Sequence, residues 1–192
     1  MTKRDPSMEQ AAAGLNSIAG FNLDTAINPR EKNTLRSLAQ KVADLAAHPR
    51  EEEKKNLWIR HNDLRSTQPI IFCDPENGWN EIITQEQILC ENPLLRVWEM
   101  HLRKEIYWAE EMKDDRVIQP FFYVPYRYTD TEWGLREKKL QTDLRRGSYV
   151  WKAPIENYDR DFAGLSSPEI IIDRDGTDRA VVLAEELLGD IL

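Results

Sequence analysis

Two carboxylates and an indole follow a short apolar run at residues 69–73. Asp74, Glu76 and Trp79 come one, three and six positions after that run. A closely spaced Asp and Glu could act on a ligand as acid, base or hydrogen-bond acceptor, and Trp79 could stack on a flat ligand. The same three residues could instead cap the next helix and seal the loop.

Arg127 is a further candidate, because it follows a second strand-like segment at residues 117–125. Its planar guanidinium suits an anionic group, although a plain surface role is the alternative. Cys73 and Cys90 show no metal-ligand spacing with each other or with the three histidines. We therefore expect no metal site and assign no catalytic residue. The candidate substrate-binding residues are Asp74, Glu76, Trp79 and Arg127.

Composition excludes several classes of partner. The chain has 192 residues, of which 41% are hydrophobic, enough to build a core. A net charge of -8 disfavours nucleic acid. The mean hydropathy of -0.64 and the lack of a long apolar run predict no membrane span. Sparse cysteine and no secretory signal predict a cytoplasmic protein.

Helical and strand-like segments position these candidates. Apolar spacing and Asn-Pro or His-Pro starts predict helices from residue 29, from residue 49 and from residue 93. The run at 69–73 predicts a strand buried on both faces, typical of a parallel sheet, and Cys73 at its end is expected in the core. Residues 129–149 predict a basic surface hairpin to which Val150 and Trp151 add, and a strand near 168–173 precedes a last helix.

This order predicts an α/β fold of the incomplete TIM-barrel type. Residues 1–27 form a leader, residues 28–66 a helical arm, and residues 67–192 the first part of a barrel. After Gly189 the apolar residues Ile191 and Leu192 look like the beginning of another strand. We therefore expect the barrel to be truncated here, and this chain alone to be inactive.

An ordered series of short segments also resembles a known family. The series runs through Asn56-Leu57-Trp58, Gln68–Cys73, Trp79, Cys90–Pro93, Arg103, Asp114-Asp115, Pro154-Ile155 and Leu187–Leu192. It resembles the amino-terminal region of uroporphyrinogen-decarboxylase-like proteins. The resemblance implies a TIM barrel that either decarboxylates uroporphyrinogen or transfers methyl groups with a corrinoid cofactor and often zinc.

One departure from the family's pattern ranks these activities. True decarboxylases carry an arginine-rich loop where this chain has the acidic residues Asp74 and Glu76, which would repel a polycarboxylate. The resemblance therefore implies corrinoid-linked methyl transfer on a small-molecule substrate. It also implies that the full-length protein holds corrinoid and zinc, that no cofactor is bound within this chain, and that a corrinoid protein is a possible partner. Uroporphyrinogen decarboxylase of tetrapyrrole biosynthesis is one alternative. A non-catalytic binding or assembly protein, docking through the arm and the basic hairpin, is the other.

Overall fold

The protein is a mixed α/β chain that divides into two compact units. In the computed structural model, residues 21–22, 27–135, 138–141 and 149–192 are described. The first unit is Met1–Arg127 with Arg174–Leu192, and the second is Tyr128–Asp173. Most of the predicted leader lies outside the described residues. Both helices of the predicted arm belong to the first unit.

Helices make up most of the first unit, and their starts follow from local sequence. The longer ones are α1 (Pro29–Ala46), α2 (Pro49–Asn62), α4 (Pro93–Tyr107) and α6 (Arg174–Leu188), with the short α3 (Trp79–Ile82) between and α5 (Tyr158–Asp161) in the second unit. Each of α1, α2 and α4 begins with proline after a capping residue whose side chain accepts backbone N–H groups. The predicted helices are thus confirmed. No helix in the described ranges has the length and apolarity to cross a membrane.

The core of the first unit lies where α1 packs against α4 and α6. Apolar residues at helical spacing on these three helices face one another. Those with at most 2% exposure include Leu35, Ala39, Val42, Leu94, Leu95, Trp98, Leu102, Ala180, Leu187 and Leu188. The helices therefore form a single scaffold on which the loops between them are fixed.

Four short strands form two separate two-stranded sheets. The strands are β1 (Arg127–Asp130), β2 (Lys138–Gln141), β3 (Tyr149–Lys152) and β4 (Ile170–Asp173). β2 and β3 pair antiparallel, with Lys139 opposite Trp151 and Leu140 opposite Val150, which confirms the predicted hairpin. β1 pairs with β4. Arg136, Arg145 and Arg146 of the basic hairpin lie outside the described residues.

Three strand predictions are wrong. One is the strand expected after Gly189, because residues 189–191 form a turn and the N–H groups of Ile191 and Leu192 donate to the Leu188 carbonyl. Residues 69–73 and 117–125 have no strand structure. Ile71 and Phe72 are 64% and 52% exposed rather than buried on both faces, and Cys73, expected in the core, is exposed. The physical reason is that the backbone N–H groups of residues 71 and 73 donate to aspartate side chains instead of to a neighbouring strand.

Candidate functional site

The segment at residues 70–73 is held by carboxylates instead of a neighbouring strand. The backbone N–H of Ile71 donates to Asp115 Oδ2 at 2.8 Å, and that of Cys73 donates to Asp114 Oδ2 at 2.9 Å. The Ile71 carbonyl accepts from the Asp115 N–H at 2.9 Å. Because alternate N–H groups are already satisfied, this extended segment needs no strand partner on that side.

Indole N–H groups also bind both of these segments, residues 70–73 and residues 114–115. Trp58 on α2 donates from Nε1 to the Asp115 carbonyl at 2.7 Å. Trp108 donates from Nε1 to the Cys73 carbonyl at 2.9 Å, and its ring stacks on Phe72 at 6.2 Å between centroids. Each of these tryptophans combines packing with a hydrogen bond.

The candidate loop after residue 73 is closed by an internal hydrogen bond. Asp74 Oδ1 accepts from the Glu76 N–H at 3.0 Å and from Trp79 Nε1 at 2.8 Å. Trp79 is 2% exposed, whereas Glu76 is exposed and has a left-handed φ of 50°. Asp74 and Trp79 therefore bind each other, and the side chain of Glu76 lies at the surface beside them.

Trp79 is surrounded by aromatic rings and a lysine. Its ring meets Trp108 edge to face at 4.5 Å and Tyr107 at 5.8 Å, and Lys104 Nζ lies 5.4 Å from its centroid. Burial lowers the pKa of Lys104, while Asp74 and Glu105 raise it by a smaller amount. The loop thus covers a largely buried cation, which the ring face and nearby carboxylates stabilise.

An ion pair next to this cluster fixes the chain after Asp115. Arg116 donates to both carboxylate oxygens of Glu105, at 2.5 and 2.6 Å, and its guanidinium lies 4.1 Å from the Trp108 ring centroid. On α2, the buried pair Lys54 and Glu51 continues the network. Lys54 donates to the Arg116 carbonyl, and Glu51 accepts from the Ile118 N–H. Side-chain partners thus take up the Ile118 N–H of the second predicted strand and the carbonyl of Arg116 just before it.

Glu99 on α4 is a fully buried carboxylate with every contact made inside the protein. It accepts from the N–H groups of Leu89 and Cys90 and from Arg103 Nε at 2.8 to 3.0 Å. Burial raises the pKa of Glu99, but these hydrogen bonds outweigh burial and lower it overall. Burial, and then Glu99, raise the pKa of the Cys90 thiol. Cys90 is therefore held as an unreactive thiol.

Arg127 makes its contacts with different elements from the acidic loop. Its N–H donates to Thr177 Oγ1 at 3.0 Å, and Nη1 donates to the Phe21 carbonyl at 2.9 Å. These bonds join the start of β1 to α6 and to the described part of the leader. The structure thus brings Asp74, Glu76 and Trp79 together and shows Arg127 bound elsewhere.

Within the described ranges, no three His, Cys, Asp or Glu side chains are grouped closely enough to bind a metal ion. Two open grooves are present in the first unit. One, of about 620 Å³, lies along α1, and the other, of about 480 Å³, lies between residues 122–126 and α6.

Sequence reasoning missed the buried charges that organise this region. Glu99, Lys104 and Glu105 are buried on the apolar helix α4. From the sequence alone, charged residues on such a helix are expected to face solvent. The spacing of Glu99 and Arg103 by four positions was the available signal, since it is typical of a helical ion pair. Asp114 and Asp115 entered only as part of the family resemblance.

No protein-family model, curated protein or solved structure matches the chain.

Proposed function

We propose that this chain is the amino-terminal, scaffolding part of a uroporphyrinogen-decarboxylase-superfamily enzyme, and that the enzyme transfers a methyl group between a small substrate and a corrinoid. The proposal starts from the ordered series of residues that resembles this superfamily. The TIM barrel and the cytoplasmic location belong to the same proposal. Under it, the reaction centre is formed by chain outside the described residues.

The observation that supports the proposal most is that members of the series bind one another. Trp58 contacts Asp115 across 57 positions, and Cys73 contacts Asp114 across 41. Arg103 belongs to the Glu99 cluster, and Asn92 caps α4. The members of the series are therefore coupled in space although they are far apart in the sequence, and this coupling supports reading them as one set.

In this proposal the described residues contribute structure to the enzyme. A corrinoid, when bound, would supply the carrier of the methyl group. Asp74, Glu76 and Trp79 would then form part of one wall of the substrate site. Asp74 would keep Trp79 in place, and Glu76 would keep the edge of that site acidic.

Uroporphyrinogen decarboxylation is the less favoured activity of the same superfamily. Its substrate carries several carboxylates, and cations would be needed to bind them. Here Asp74 is held by Trp79, Glu76 is exposed, and Lys104 lies buried behind the Trp79 ring. The acidic residues therefore lie outside and the cation inside, which is the reverse of a polycarboxylate site.

The test uses the product of the intact gene. It is incubated with cob(I)alamin and, separately, with methanol, methylated amines and aromatic methyl ethers, and the conversion to methylcob(III)alamin is followed by absorbance. In parallel, carbon dioxide release from uroporphyrinogen is measured. Methyl transfer from one donor supports the proposal. Carbon dioxide release without methyl transfer would replace it with decarboxylation, and the absence of both activities would reject both.

A second candidate function is non-catalytic assembly, which the surface of the second unit favours. Ile170, Ile171 and Ile172 of β4 are 40% to 56% exposed, and Trp133, Trp151, Tyr158 and Phe162 are exposed as well. A large exposed apolar area commonly marks a contact with another protein. Light scattering of this chain over a range of concentrations tests the idea. Reversible association that Ile171→Asp abolishes would support it, and a monomer at all concentrations would oppose it.

A further inference from the structure

We infer that the groove along α1 binds a small molecule through a single oxyanion, either a carboxylate or a phosphate group. This inference is independent of the superfamily proposal. The lining consists of Arg30, Asn33, Thr34, Ser37, Leu38, Leu89 and Arg103. It contains two arginines and no acidic residue, in a chain with 34 acidic and 26 basic residues.

The first wall of the groove is one stripe of α1. Residues 30, 33, 34, 37 and 38 recur at the spacing of a single helix face. They place a guanidinium, an amide and two hydroxyls beside Leu38. This face therefore combines hydrogen-bonding groups with an apolar surface in an open groove, and within it the Thr34 hydroxyl donates to the Arg30 carbonyl at 3.0 Å.

The second wall is held in place by one buried carboxylate. Glu99 accepts the N–H of Leu89 and also binds Arg103 through Nε and Nη2. Both residues of this wall are thereby fixed before any ligand arrives, and such preorganisation reduces the entropy cost of binding. A second carboxylate, Glu31, accepts from the N–H groups of Glu91 and Asn92 and joins α1 to the start of α4.

Donor capacity remains on both arginines. Within the described part of the chain, Nη1 of Arg103 and the guanidinium of Arg30 make no hydrogen bond or ion pair. Glu99 already balances the charge of Arg103, so the groove carries about one net positive charge, that of Arg30. A single oxyanion matches that charge and the planar donors of the guanidinium groups, and Leu38 and Leu89 suit an apolar body attached to it.

The test titrates this chain with inorganic phosphate and, separately, with benzoate, followed by calorimetry and by the NMR shift of the Leu89 amide. We expect at least one probe to bind with a Kd of about 1 mM, as is usual for so small a ligand. Binding of phosphate alone assigns a phosphorylated ligand, and binding of benzoate alone assigns a carboxylate with an apolar body. Binding of neither probe at about 10 mM overturns the inference.

Arg30→Gln and Arg50→Gln form a matched pair of variants. Both arginines are exposed and occupy the position after the first proline of a helix, α1 or α2, but only Arg30 lines the groove. Arg30→Gln should weaken the binding that is found about tenfold, and Arg50→Gln less than about twofold. Equal losses would show a general attraction of anions to the protein and would overturn the site.

Arg103→Lys tests the other wall, because lysine retains a charge for Glu99 but lacks the planar fork. With the fold checked by circular dichroism, we expect binding to weaken about fivefold. Unchanged affinity in a folded variant would remove Arg103 from the site. If that variant does not fold, the comparison of Arg30 and Arg50 decides the matter.

Discussion

The first unit has a buried apolar core, whereas the described part of the second unit has none. Every buried hydrophobic residue in the part of the chain that the structure describes, from Phe21 to Leu188, belongs to the first unit. The second unit, Tyr128–Asp173, exposes Trp133, Trp151 and Ile171. Hydrophobic burial is the main favourable contribution to folding. Among the described residues, the first unit therefore contributes most of the hydrophobic stabilisation.

Breaking the buried Glu99 cluster should have the largest effect on the first unit. Glu99→Ala leaves Arg103 and two backbone N–H groups without their acceptor, so the free energy of unfolding should fall by about 3–5 kcal/mol. Urea denaturation measures it. The matched control is Glu110→Ala, since Glu110 pairs with Lys41 at the surface and should contribute less than about 1 kcal/mol. Similar losses in the two variants would contradict the role given to Glu99.

A smaller difference in the free energy of unfolding is expected between substitutions of two buried tryptophans of the first unit. Trp79 Nε1 donates to Asp74, whereas Trp98 Nε1 has no hydrogen-bond partner among the described residues. Both Trp→Phe changes remove the same atoms, so Trp79→Phe should cost about 1 kcal/mol more than Trp98→Phe. A double-mutant cycle with Asp74→Ala should recover that difference as coupling. Zero coupling would mean that the loop is held by packing alone.

The stability of the first unit should also depend on pH through His101. Burial lowers the pKa of His101, Glu105 partly offsets this, and Arg116 and Lys104 lower it further. Since the unfolded chain takes up this proton more readily, the contribution is constant above pH of about 6.5 and is lost progressively as the pH falls below it. Urea denaturation from pH 7 to 5 should therefore show a shallower decline for His101→Gln than for the unaltered chain. An equal decline in the two proteins would contradict this contribution of His101.

The smallest effect is expected in the second unit. Ile171 is 55% exposed, so Ile171→Thr should change the free energy of unfolding by less than about 0.5 kcal/mol. In the first unit, Leu95→Ala should cost about 2–5 kcal/mol. Measurement at two protein concentrations sharpens the comparison. A large, concentration-dependent loss for Ile171→Thr would show that an association of chains covers this strand.

Much of the helical structure could be predicted from the sequence, because its signals are local. Asn28-Pro29 and Asn92-Pro93 start helices, and the apolar spacing that follows continues them. The extended segment at 69–73 could not be assigned correctly, because its N–H groups bind Asp114 and Asp115, about 40 residues further on. An apolar run predicts an extended chain but does not reveal which acceptor it will find.

For the candidate site, only the closeness of residues that are neighbours in the sequence could be predicted. Asp74, Glu76 and Trp79 do lie together, since five positions separate the residues that bind each other. The Lys104 beneath them and the Glu105–Arg116 pair beside them come from other elements. Whether a charged residue on an amphipathic helix is buried depends on such distant partners, and no spacing along one helix reveals them.

The five-residue π-helical turn Trp108–Met112 extends α4 and determines the direction in which Asp114 and Asp115 point. The Lys113 N–H bonds to the Trp108 carbonyl, five residues back, and Lys113 then ends the turn with a left-handed φ of 53°. Each residue of an α-helix turns the chain by about 100°, so one residue more or less here would rotate Asp114 and Asp115 away from residues 71 and 73. The length of the chain between Tyr107 and Asp114 is therefore as strictly determined as the identity of the two aspartates.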